Sequence, residues 1–95
     1  MIDIDRLDNI FDDITEELKK AMLKFPECPV DPLHAVAIIG EEFGELTKAI
    51  LQRTYEPEEY VTIDEIYGEA IQVSAMVARF LLNMEQYRYR KSDMR

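Results

Sequence analysis

Five oxygen-donor side chains fall at helical spacing in two short stretches of the chain. Glu41, Glu42 and Glu45 lie in IIGEEFGELTKAI, and Glu69 and Gln72 lie in EIYGEAIQVSAMVARFL. Glu42 and Glu45 are three apart, Glu69 and Gln72 repeat that step, and residues three apart are neighbours on one helical face. Both stretches are apolar around the acids, where an uncompensated charge is expensive to bury. Two carboxylates about 5 Å apart repel by roughly 3 kcal/mol at an effective dielectric near 20. Several such pairs weigh heavily against the roughly 5–15 kcal/mol that holds a whole domain together. Such a site must protonate, splay into water or take a cation. An oxygen-only donor set suits Mg²⁺ (Mn²⁺ is the alternative), which usually keeps several waters. Those waters leave space for phosphate oxygens and for a nucleophile, so the chemistry expected is metal-assisted attack at phosphorus.

Three helices have to position these groups. The first is expected over about 5–24, where Leu7, Ile10, Phe11, Ile14, Leu18, Met22 and Phe25 recur at three- and four-residue steps. Its other face carries Asp8, Asp12, Asp13, Glu16, Glu17, Lys19 and Lys20 and reads as solvated. Pro26, Pro29 and Pro32 end the pattern, and Asp31 before Pro32 reads as a cap with proline at the first helical position. The second helix is expected over about 32–53. A loop with Pro57 follows, and Thr62 with Glu65 makes a capping box that opens a third helix over about 62–87. No β pattern appears. The basic tail, 88–95, is expected to fray.

The third helix is apolar on two sides. Ile66, Ala70, Val73, Val77, Phe80 and Met84 line one, and Ile71, Ala75, Ala78 and Leu82 another. Two neighbouring helices cover only part of such a surface, so a partner subunit is expected to supply the rest. A polar stripe of Glu65, Glu69, Gln72, Met76, Arg79 and Asn83 runs down the same helix. If the second and third helices pack antiparallel, the two acidic pairs face each other. Arg79 is the candidate phosphate contact, against the commoner reading of a rim ion pair. Lys48, three after Glu45, reads first as an ion-pair partner of Glu45 and second as a substrate contact. His34, seven before Glu41, is the sole histidine; it reads first as structural and second as a base-side or phosphate contact. Tyr55, Tyr60 and Tyr67 are packing anchors or stacking platforms. Gly40 and Gly44 leave room either for a close helix crossing or for a ligand beside the acids.

Composition narrows the classes. Ninety-five residues make one small domain, and eleven basic against twenty acidic residues give a net charge of −9. That balance disfavours nucleic-acid backbones and anionic membranes and favours cation binding where acids cluster. The single cysteine, Cys28, excludes an intrachain disulfide. With no signal-peptide pattern and no spanning run, a cytoplasmic protein is expected. One histidine and one cysteine cannot supply a zinc site or a di-iron bundle, and no GxxxxGK[ST] loop is present.

The pattern EEFGE followed at a distance by EAIQ resembles the MazG-like all-α nucleoside triphosphate pyrophosphohydrolases, relatives of the dimeric dUTPases. The resemblance covers about 33–82 of the chain. It implies a three-helix antiparallel subunit that completes a four-helix-type bundle as a homodimer or homotetramer. It also implies Mg²⁺-dependent hydrolysis of a (deoxy)nucleoside triphosphate to the monophosphate and pyrophosphate. On this resemblance Glu42 and Glu45 fall on the first metal-binding pair and Glu69 on the third ligand. Glu41 falls on the leading glutamate, for a second metal or the attacking water. Gln72 stands where the family pattern has aspartate, which removes one charge; Glu65, one turn before Glu69 on the same stripe, is a candidate to restore it. Two other readings compete: a metal- or nucleotide-binding regulatory protein that has lost turnover through Gln72, and an acidic helical protein that binds a basic partner. The last needs acids outward and spread; the first needs Glu42, Glu45 and Glu69 convergent.

Overall fold

The computed structural model describes residues 1–89, and all regular structure among them is helical. Helix α1 spans Ile4–Lys24, α2 spans Pro32–Tyr55 and α3 spans Ile63–Leu82. Each begins where its sequence supplies an acceptor for free backbone N–H groups. Asp3 accepts from the Arg6 amide at 3.1 Å, and Asp31 accepts from Leu33 at 2.9 Å with Pro32 in the first turn. Thr62 and Glu65 form both halves of the capping box, at 3.0 and 3.3 Å.

Helix α3 is the centre of the subunit. It packs against α1 on one side and α2 on the other, while α1 and α2 hardly touch each other. Cross-helix hydrogen bonds fix the direction of α1: Tyr67, near the start of α3, donates to Asp13 at the middle of α1, and Arg79, near the end of α3, donates to the Ala21 and Phe25 carbonyls at the end of α1. α1 therefore runs parallel to α3, with α2 reversed between them in sequence. Two of the buried residues, Ile71 and Ala75, lie on α3; Ala35 and Ala49 of α2 and Tyr87 complete the set. Among the described residues no large side chain is wholly enclosed, and α1 contributes no buried residue. Of the apolar stripe expected on α1, Leu7, Ile10, Ile14 and Leu18 turn partly inward, whereas Phe11, Met22 and Phe25 remain exposed.

Two boundaries differ from expectation. α2 continues to Tyr55, after which Pro57–Glu59 form a single 3₁₀ turn that ends at Tyr60 in the left-handed region (φ 52°). α3 stops at Leu82, not near Tyr87. Asn83 ends it by donating its side-chain amide to the Arg79 carbonyl at 2.8 Å, a local bond that competes with helix continuation. Met84–Gln86 then form a 3₁₀ turn and the chain folds back on the loop between α1 and α2: the Arg88 amide donates to the Val30 carbonyl at 2.6 Å. Tyr87 stacks on Phe80 with ring centroids 5.1 Å apart, and Tyr89 meets Tyr87 edge-on at 6.5 Å. The first two residues of the expected frayed tail, Arg88 and Tyr89, are thus tied down; 90–95 lie outside the described residues. No helix among the described residues is long and apolar enough to cross a membrane.

Candidate functional site

Because α1 and α2 diverge above α3, they leave a groove of about 750 Å³ with α3 as its floor. That volume is in the range of small-molecule sites. Helical order sets what lies along it. At one end stand Glu17 of α1, Glu41 and Glu42 of α2 and Gln72 of α3. Ile38 and Met76 line the middle, with Lys20 on the α1 wall. At the other end the loop between α1 and α2 brings Cys28 and Pro29 against Phe80 and Tyr87.

Glu42 is the electrostatic focus. Partial burial raises its proton affinity above the ordinary glutamate value, and the charges of Glu69, Glu45, Glu41 and Glu17 raise it further, in that order. The antiparallel pairing of α2 with α3 thus brings Glu69 to Glu42, as the two spacings predict. Glu45 and Glu69 stand beside Glu42 outside the groove wall, while Glu41 and Gln72 line it. Among the described residues, no three His, Cys, Asp or Glu side chains stand close enough to hold one metal ion together. The donor chemistry nevertheless fits Mg²⁺: every candidate ligand is an oxygen, and the Glu45 side chain is exposed. Glu65 is committed to the Thr62 amide.

The candidate substrate contacts fall in different places. His34 lines the inner groove. Arg79 also lines it, but its guanidinium donates to the Ala21 carbonyl at 3.4 Å and to the Phe25 carbonyl, so it caps the C-terminus of α1. Lys48 lies away from the groove and makes no ion pair with Glu45; among the described residues the ion pairs are Lys19–Glu16, which is exposed and worth little, and Lys20–Glu17, whose glutamate is half-buried at the groove. Tyr55 and Tyr60 point into solvent, and Tyr67 is bonded to Asp13, which raises its proton affinity. The aromatic residues that do line the groove are Phe25, Phe80 and Tyr87.

Sequence reasoning missed Glu17 and Lys20, which it placed on a solvated face, and Lys24, which it assigned to neither face. They line the groove because that face turns toward α2 across the gap. A signal was present: Glu17 precedes Leu18 and Ala21 on the edge of the apolar stripe, where a helical wheel puts it near the packed side. At Gly40 and Gly44 an added Cβ would meet nothing within 4 Å, so neither serves a close crossing inside the subunit.

No protein-family model, curated protein or solved structure matches the chain.

Proposed function

We propose that this groove binds a nucleoside triphosphate with Mg²⁺ and hydrolyses it to the monophosphate and pyrophosphate. The observation that carries the reading is that all three helices bring carboxylates to one end of a ligand-sized groove, with Glu17, Glu41, Glu45 and Glu69 around the half-buried Glu42. Acids spread outward to attract a basic partner would instead be solvated and separate. Glu42, Glu45, Glu69 and the Gln72 amide oxygen would hold the metal, which when bound neutralises phosphate charge and makes a coordinated water more acidic. The residues of the chain do the rest. Glu41 or Glu42 accepts a proton from the attacking water, a task helped by a base whose proton affinity is raised. The α–β phosphoanhydride bond breaks, water supplies the new P–O bond, and pyrophosphate departs. Lys20, on the α1 wall, offsets charge on the phosphate chain.

A second reading has its own support. Gln72 in place of aspartate removes one negative charge from the donor set and favours metal or nucleotide binding without turnover. A pyrophosphate-release screen of common and damaged nucleoside triphosphates with Mg²⁺, with Glu42→Gln as control, separates the two. Release by the wild type that the variant loses supports hydrolysis; equal, negligible release from both leaves the binding reading.

We also propose that the chain assembles as a homodimer or homotetramer that completes a four-helix-type bundle. It exposes 7781 Å², where a compact monomer of 11.1 kDa exposes about 5,700 Å². Leu33, Val36, Phe43 and Ile50 form one exposed apolar stripe down α2, with Gly40 on the same line. A heptad-like stripe of this kind is what a second helix covers.

A further inference from the structure

The groove changes character along its length, and its inner end has no role in the phosphate chemistry above. From Gln72 to Phe80 the α3 floor advances about 12 Å at 1.5 Å per residue, from oxygen donors to aromatic rings. Phe80 and Tyr87 form a stacked pair there. Tyr87 is 6% exposed and is held from two directions: by Phe80, and by the Cys28 thiol 3.7 Å from its hydroxyl. Burial and that thiol push the phenol up to about 12, so it stays a neutral hydroxyl that both donates and accepts. His34, the sole histidine, enters the same end from α2.

We infer that the inner end of the groove takes the planar base of the nucleotide, and that Tyr87, with Phe80 beneath it and Cys28 at its hydroxyl, is the residue that distinguishes bases. This rests on the nucleotide reading and deepens it by naming where the base sits. The physical argument is a match of two gradients. A nucleoside triphosphate is an aromatic ring at one end and a polyanion at the other. The groove offers aromatic faces with adaptable polar edges at one end and a cation-demanding carboxylate cluster at the other, about two helical turns apart. Stacking on an aromatic face tolerates any base, so discrimination falls to the polar edge groups. Those groups are carried by the turn after α3 and the loop after α1, which meet through the Arg88–Val30 backbone bond.

The test uses Cys28 as a reporter in the unaltered protein, since it is the only cysteine and is partly accessible. Its alkylation by N-ethylmaleimide is followed with Mg²⁺ and either an α,β-imido deoxynucleoside triphosphate or inorganic tripolyphosphate; calorimetry records binding of each. The expected result is protection by the nucleotide analogue and none by tripolyphosphate. The alkylation rate should fall about tenfold at ten times Kd, in proportion to the free protein. Equal protection by tripolyphosphate would put phosphate at the inner end and overturn the assignment. Binding of the analogue without protection of Cys28 would overturn it too, while leaving the nucleotide reading intact. If neither compound binds, the nucleotide reading itself fails and the assignment with it. As an independent check, Phe80→Ala should weaken the analogue about 5- to 150-fold with tripolyphosphate unchanged. Tyr87→Phe should keep affinity and narrow the differences between bases. Unchanged discrimination in Tyr87→Phe would remove Tyr87 from the assignment.

Discussion

Phe43 is the most direct lever on assembly. It is 59% exposed at the middle of the α2 stripe, on a helix whose opposite side already packs on α3. Complete burial of a phenylalanine stabilises by about 1.5–3 kcal/mol. Covering the exposed fraction therefore contributes about 1–2 kcal/mol per copy. A symmetric interface uses the residue twice, so Phe43→Ser should cost about 2–3.5 kcal/mol of association, a rise in Kd of about 30- to 300-fold. Sedimentation equilibrium over a concentration series reads this directly. Tyr60→Ser is the control, because Tyr60 is 83% exposed in the loop between α2 and α3, off the stripe. The reasoning is refuted if the wild type sediments as a monomer throughout, or if both substitutions shift the equilibrium equally.

Glu42→Gln should stabilise the fold near pH 7 without divalent cations. The raised proton affinity of Glu42 means that its contribution is fully favourable below the unfolded value of 4.5 and is lost as pH rises through the higher folded value. Urea titrations across pH 4–8 should show the advantage of the variant shrinking on acidification and vanishing at the acid end; an advantage independent of pH would refute the carboxylate origin. Millimolar Mg²⁺ should raise the wild-type melting temperature, and Glu45→Gln should lose most of that gain; an equal rise in both would indicate general charge screening. Arg79→Met should cost about 1–2 kcal/mol, since a charged donor to the end of α1 is lost from a partly exposed site. Amide exchange should then quicken over 18–25 while α2 stays protected; uniform quickening would mean that Arg79 acts on the whole core.

The helices were legible because local signals set their starts. Asp31–Pro32 and Thr62–Glu65 act within one turn, and the structure uses both as capping rules dictate. The approach of Glu69 to Glu42 followed from two three-residue steps and an antiparallel turn. What the sequence concealed depends on contacts distant in the chain. Lys20 and Glu17 face a ligand-sized gap only because α1 diverges from α2, and no local pattern encodes that divergence. Tyr87 looked like a helix end; its stacking on Phe80 and its thiol neighbour Cys28 arise from a turn-back 59 residues after the cysteine. Arg79 fitted the polar stripe, but the free carbonyls that it satisfies belong to another helix.

Helix α1 is joined to the rest of the described chain through one neighbour, with no residue of its own buried and a few polar clasps at Asp13, Ala21 and Phe25. Such an element opens as a separate cooperative unit, at lower free energy than the α2–α3 hairpin. It is also one of the two groove walls. Its detachment would release whatever lies beneath it, so the residence time of a bound molecule would be set by how often this one rod lifts away.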